Sequence, residues 1–434
     1  MIETIARKIE AKVDDFVIEI VRSDDHQLKF TNSQPTIEKR WREESLTLFL
    51  AKGKRVVLLS TNDLREKQLN WFVKRALSTL NKAKEKKDYH GIASDRLAKG
   101  KYEKKDKSLE FFDASEVVAT ALNEVRAEEC AGVLHFGSYE CEILTSNGAN
   151  ASESRSFLDF SLRAIDGEIS AHASTFAFSR RELNVGSVVR EVNKLLELAK
   201  GARRVEVKAG DYDVLFHPMA FANLCENITY ACSAFYVLLG ESFLTGKIGK
   251  RVASPDFTLE DLGSLAVAFD SEGRKTRKTR IIERGVLKTY LHNTSTAKEM
   301  NVENTSNAGL LVPHAWLISV AGGKDKLTSM LESSRKLIFV NNLWYTRFTN
   351  YRTGEFSTLP RDATFLIEKG EVKGIVKNIR IATSFPKLLK NIESLSRERK
   401  RIKWWEVEKP SIVPYALVKN LRVTRPFEPI KSET

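Results

Sequence analysis

Pro218-Met219-Ala220-Phe221-Ala222-Asn223-Leu224-Cys225-Glu226-Asn227-Ile228-Thr229-Tyr230-Ala231-Cys232 opens the second half of the chain and decides how that half is read. Proline is tolerated in the first turn of a helix, where its missing N–H has no partner to lose, so a helix is predicted over 218–239. Beyond Gly240 the sequence becomes strand-rich. It is punctuated by hairpin-like pairs, Glu272-Gly273, Arg284-Gly285 and Lys369-Gly370. Upstream of the helix, 205–208 reads as a strand.

The first half mixes both periodicities. Phe16-Val17-Ile18-Glu19-Ile20 reads as a strand, and 46–50 and 56–60 flank Ala51-Lys52-Gly53-Lys54 as a hairpin with Gly53 in its turn. Leu69, Phe72, Val73, Ala76, Leu77 and Leu80 recur at helical spacing within 64–86. Residues 88–108 are polar and Lys-rich, as in an exposed loop. Asp113 or Ser115 caps a helix reaching about residue 129. Strands follow over 132–139, 140–145, 155–164 and 169–178, the last two joined at Asp166-Gly167, and a helix over 187–199 closes this half. No strict βαβ rhythm emerges, so the fold class is α+β. We expect an N-terminal mixed domain with an antiparallel sheet over 1–203. A C-terminal domain dominated by antiparallel β-structure is expected over 204–434, carrying the 218–239 helix.

The chain has 434 residues, 42% of them hydrophobic, enough for two packed domains. No uninterrupted apolar stretch approaches the ~18 residues of a membrane span, and the first residues lack the apolar core of a signal peptide. Four scattered cysteines fit a reducing compartment, so a cytoplasmic protein is expected. The net charge is 70 − 57 = +13. Basic clusters at 82–87, 99–107, 274–280 and 397–403, the last running into Trp404-Trp405, raise nucleic-acid binding as an alternative. All but 274–280 are interleaved with acids, which favours a solvated Lys-rich surface.

No self-contained active site stands out. None of the seven histidines forms a pair at helical ligand spacing. Cys225 and Cys232 share a helix face about 10 Å apart along the axis, too far for a disulfide, and read as small buried hydrophobes. Glu226, beside Cys225, opposes thiolate formation. Phosphate-loop, nucleophile-elbow and dinucleotide signatures are absent.

Several blocks carry a resemblance. They are Ser242-Phe243-Leu244-Thr245-Gly246-Lys247-Ile248-Gly249 leading into Ala253-Ser254-Pro255-Asp256, Phe269-Asp270-Ser271-Glu272-Gly273, and 282–290. Asn350-Tyr351-Arg352-Thr353-Gly354-Glu355-Phe356-Ser357 and Ile367-Glu368-Lys369-Gly370-Glu371 follow. In order and spacing they resemble the TldD/PmbA family, once described as modulators of DNA gyrase. The resemblance implies a metallopeptidase whose catalytic member carries two histidines flanking a glutamate on a helix, plus a late cysteine, as zinc site. Here the first two histidine positions fall on Cys225 and Tyr230, the glutamate on Glu226, and the cysteine near Trp405. The chain therefore resembles the TldE-like branch that lacks the motif. That implies no catalytic residue and no metal or cofactor in this chain, with zinc expected in a TldD-type partner. The implied function is that of a non-catalytic subunit in a heterodimer that degrades or trims unfolded linear peptides. A homodimeric peptide-binding protein and a nucleic-acid-binding or gyrase-modulating protein are the alternatives. Without a metal, Glu226 reads as a helix-surface acid. Asp270, Glu272, Gly273, Asn350 and Gly354 are candidate substrate contacts, each with a competing reading as a structural turn. Trp404 and Trp405 are expected at a subunit interface.

Overall fold

The computed structural model describes residues 1–425. Its first sheet is built from β1 (Asp15–Thr31), β2 (Gln34–Lys52), β3 (Arg55–Thr61), β4 (Lys99–Lys104), β5 (Glu129–Thr145), β6 (Asn150–Asp166) and β7 (Ile169–Ala177). The order is β3-β2-β1-β5-β6-β4, with β7 also on β6, and only β4 runs parallel to its neighbour. Buried and part-exposed residues nearly alternate along β6, as in a strand with one face packed. Helices α1 (Ile2–Ile9) and α2 (Glu66–Lys82) cover one end, packing Ile5, Ile9, Phe72 and Val73 against Phe16, Ile18 and Leu48. The spacing that predicts α2 is the spacing of these contacts. Helices α3 (Ala114–Glu124), capped by Asp113, and α4 (Val185–Leu198) pack elsewhere on the same half.

The second sheet comprises β8 (Arg204–Val205), β9 (Gly210–Phe216), β10 (Leu259–Leu262), β11 (Lys278–Glu283), β12 (Val286–Leu287), β13 (Ile318–Val320), β14 (Lys336–Asn350), β15 (Glu355–Glu368), β16 (Glu371–Val376), β17 (Arg380–Ser384), β18 (Ile392–Trp404) and β19 (Val407–Thr424). Its main path runs β12-β11-β10-β13-β19-β9-β14-β15-β16-β8, with β17 between β15 and β19 and β18 on β19. Most pairs are antiparallel, and β13–β19, β14–β9 and β16–β8 are parallel. The α+β class with antiparallel sheets therefore holds. Helix α5 (Pro218–Ala231) packs on β14 and β19 with Met219, Phe221, Leu224, Cys225 and Ile228 fully buried. The two sheets divide between Ala177 and Arg204, yet one core joins Leu28, Phe30 and Phe160 of the first half to Leu215, Phe339 and Tyr415 of the second.

Four local expectations are corrected. The helix expected over 218–239 breaks after Ala231 and resumes as α6 (Ala234–Leu238). The neighbouring loops take the groups a continuous helix would use: Ala234 N–H donates to the Leu291 carbonyl and the Ser233 hydroxyl to that of Pro313. Residues 88–108 are not a solvated loop, because Tyr89, Ile92, Ala93 and Ala98 are buried and β4 lies within the segment. β4 joins through its backbone while its lysines stay in water, so composition conceals it. The strands expected over 132–139 and 140–145 are the single strand β5. The strand expected over 205–208 is only Arg204–Val205, and β9 follows it unforeseen.

Candidate functional site

Most of α5 faces the core, but Asn223, Glu226, Asn227 and Tyr230, at i, i+3, i+4 and i+7, form a polar stripe along one side. That stripe borders a groove of about 380 Å³, closed by Thr346 and Arg347 of β14, by Trp405 and Glu406 of the β18–β19 turn, and by Glu408 at the start of β19. The turn is tied to the helix. Asn223 Nδ2 donates to the Glu406 carbonyl at 2.7 Å, and Thr346 Oγ1 donates to Asn223 Oδ1 at 2.6 Å. The backbone N–H groups of Glu408 and Lys409 each donate to Glu226 at 3.0 Å. Tyr345 N–H donates to Glu406 Oε1 at 3.2 Å, where β14 bulges and Tyr345 has a φ of +56°.

Glu226 is thus not the solvated surface acid expected from sequence. Burial pushes its carboxyl up to about 7, against the two N–H donors, which favour the charged form. Its two oxygens clamp a turn instead of facing a reactant. Cys225 is fully buried in the core, and burial pushes its thiol well up, so it stays protonated. Tyr230 is exposed and stacked on Tyr236 at 4.0 Å. Trp405 offers only an indole N–H donor, with no lone pair for a cation. Among the described residues no three His, Cys, Asp or Glu side chains converge as a metal requires. These residues do not fit a zinc ion.

The tryptophan pair splits. Trp404 is buried, its ring edge-on to His172 at 4.8 Å, so an interface role for it is corrected to a core role. Trp405 stands 57% exposed at the mouth of the groove, edge-on to Trp344.

The other candidates do not line the groove. Asp270 and Glu272 are buried in a turn. Asp270 accepts from the backbone N–H groups of Glu272, Arg274 and Ala308 at 2.9–3.2 Å, and Glu272 from the backbone N–H and hydroxyl of Thr294. Burial raises both carboxyls above the ordinary range, and the charge of Asp270 raises Glu272 further. Gly273 has a φ of +74°, and a Cβ there would sit 2.5 Å from the Ala149 Cβ, so this turn seats one half of the chain on the other. Asn350 Oδ1 accepts from the N–H groups of Arg352 and Thr353, and Gly354, at φ +73°, lies against Phe243 and Pro386. Asn223, Asn227, Thr346 and Glu406 were not foreseen. The stripe on α5 was the available signal, because an all-apolar helix interrupted along one line has one wet side.

Two of the four basic clusters are largely partnered, whereas in 82–87 and 99–107 only Lys86, with Asp88, and Lys105, with Glu140, form ion pairs. In 397–403, Lys400 pairs with Glu191 and Glu398, Arg401 with Glu182, and Lys403 with Asp159. In 274–280, Arg274 is buried against Asp95, Arg277 meets Glu303, and Lys278 and Arg280 share Glu260.

Comparison with known proteins places this arrangement. Residues 209–425 match the family model of the PmbA/TldA metallopeptidase C-terminal domain. A metalloprotease of Methanocaldococcus jannaschii is 28% identical over 239 residues, 51% of either chain. A metalloprotease PmbA homolog of Haemophilus influenzae is 32% identical over 159 residues, 35% of this chain and 33% of that one. The chain spans about half the length, or less, of these curated relatives. In fold, the crystal structure of TldE from Thermococcus kodakarensis superposes with a TM-score of 0.81 at 19% identity, covering 97% of this chain and 99% of that one. No helix among the described residues is long and apolar enough to cross a membrane. The family model spans half of the chain, including α5, both sides of the groove and the blocks that flank it, and the chain belongs to the PmbA/TldD metallopeptidase family.

Proposed function

We propose that this chain is a non-catalytic, TldE-like subunit of a heterodimeric metallopeptidase complex that degrades or trims unfolded, linear peptides. The observation that carries the reading is the fate of the motif positions. The groove beside α5 persists, but Cys225 is in the core, Tyr230 and Trp405 present aromatic rings, and Glu226 holds the turn 406–409 in place. A chain that keeps the groove and lacks the donors is suited to holding peptide beside a catalytic subunit, which would supply the zinc. Pairing, substrate and a cytoplasmic location are inferences from family membership joined to this geometry.

The test is reconstitution. This chain and a motif-bearing family member from the same source are purified separately and mixed. Stable co-elution, with cleavage of an unstructured peptide only in the mixture, is the expected result. Cleavage by this chain alone that is sensitive to a chelator would overturn the reading. The internal pairing of the clusters at 274–280 and 397–403 gives the nucleic-acid alternative less support than the net charge suggests.

A further inference from the structure

The groove beside α5 carries a charge opposite to that of the whole chain. The chain is +13, yet three carboxylates, Glu226, Glu406 and Glu408, line the groove against one cation, Arg347. No residue of the four basic clusters lines it. Glu406 and Glu408 form no ion pair among the described residues, and the Arg347 guanidinium donates to the Thr346 carbonyl at 2.8 Å. Lys409 acts through its charge on Glu226 and Glu408, but it pairs with neither and does not line the groove.

The aromatic rings at the groove are free of cations as well. Elsewhere the chain covers such rings itself: Arg163 and Arg361 lie over Trp344, Lys403 over Phe157 and Arg401 over Phe176. Trp405, on the turn side, and Tyr230, on the helix side, are 57% and 41% exposed and have no such cover among the described residues. The negative face of an indole or phenol ring attracts a cation, as an unpaired carboxylate does. Two independent features of one groove, its rings and its acids, therefore call for the same ligand charge.

We propose that this groove selects the positively charged part of an unfolded peptide, a lysine or arginine side chain or the N-terminal ammonium. The inference rests on the reading of the chain as a peptide-holding subunit and names which peptides it holds. Glu406 and Glu408 supply the counter-charge, and Trp405 and Tyr230 supply the rings. Glu226, engaged by two backbone N–H groups, fixes the segment that carries the two acids. The surplus of cations on the rest of the chain disfavours the same ligand, which confines the selection to the groove.

The experiment uses this chain alone, so its outcome is separate from whether a catalytic partner exists. Ten-residue unstructured peptides, labelled at the C-terminus, are titrated by fluorescence anisotropy. One carries two central lysines behind an acetylated N-terminus, a second has glutamines in their place, and a third has glutamates. The fourth is the glutamine peptide with a free N-terminal amine. We expect the lysine peptide, the free-amine peptide or both to bind at least fivefold tighter than the acetylated glutamine peptide, which assigns the source of the charge. The double variant Glu406→Gln/Glu408→Gln, with unchanged melting, should bring that preference below twofold, and Trp405→Ala should reduce it while Trp405→Phe retains it. Should the double variant melt early, Glu408→Gln alone, at an exposed position, should at least halve the preference. A smaller gain in both cationic peptides, with binding retained, would overturn the proposal and leave the peptide-holding reading in place. Tightest binding by the glutamate peptide, or a preference that survives these variants, would also overturn it. Absence of binding by all four would overturn both.

Discussion

At the scale of single residues, Gly273 and Glu272 hold the strongest constraints. Gly273 combines a left-handed backbone with a Cβ direction blocked by Ala149. Gly273→Ala is expected to cost about 1–3 kcal/mol in denaturant unfolding; a loss below the error of the fit would mean that the seam between the halves yields easily. Glu272 and Asp270 are raised above the ordinary carboxylate range by burial, and folded pKa values above the unfolded ones fix the sign. Their contribution to stability is fully present below the ordinary carboxylate range and is lost as pH rises through the raised values, across neutrality. Glu272→Gln removes one of the two charges, so its melting temperature should fall less steeply with pH than that of the wild type; parallel curves would contradict this. The sequence shows the glycine and the two acids but not their burial, because the turn packs against Thr145 and Ala149 from the first half of the chain and its acids are held by Thr294 and Ala308 on separate loops.

At the scale of elements, α5 and the turn it holds act as a unit. Glu226 accepts two consecutive backbone N–H groups, and Asn223 ties the same turn and β14. Glu226→Ala leaves both donors without an acceptor, at about 1–3 kcal/mol. The amides of Glu408 and Lys409 should exchange hydrogen markedly faster in that variant, while those in the middle of β19 stay protected; unchanged exchange would show that the clamp contributes little. Helix spacing makes α2 legible from sequence, since its buried face follows the 3.6-residue period, whereas α5, buried nearly all round, is legible from Pro218 at its first turn. The break at Cys232 and Ser233 is not legible, because it is set by the Leu291 and Pro313 carbonyls on distant loops. β4 is hidden for the opposite reason: a lysine-rich strand whose one ring in an apolar cluster is Tyr102 carries no apolar pattern.

At the scale of the whole molecule, the α+β class and the family blocks are legible, and the groove is legible only in part. Counting along the sequence places Cys225, Glu226 and Tyr230 on one helix, but Cys225 on its buried side and the others on its wet side is a fact of packing. The charge of +13 is legible, whereas its partnering by Glu182, Glu191, Asp159 and Glu260 is not. Binding to duplex DNA should accordingly be weak, sequence-independent and lost by about 0.2 M salt; tight binding that persists above that would favour the nucleic-acid reading. We propose that this family member does not hold its own zinc. The most direct measurement is zinc stoichiometry by equilibrium dialysis and elemental analysis, on this chain alone and on its mixture with a motif-bearing subunit. Less than a tenth of an equivalent is expected on the chain alone and about one per heterodimer in the mixture. One tightly held equivalent on this chain alone would contradict it.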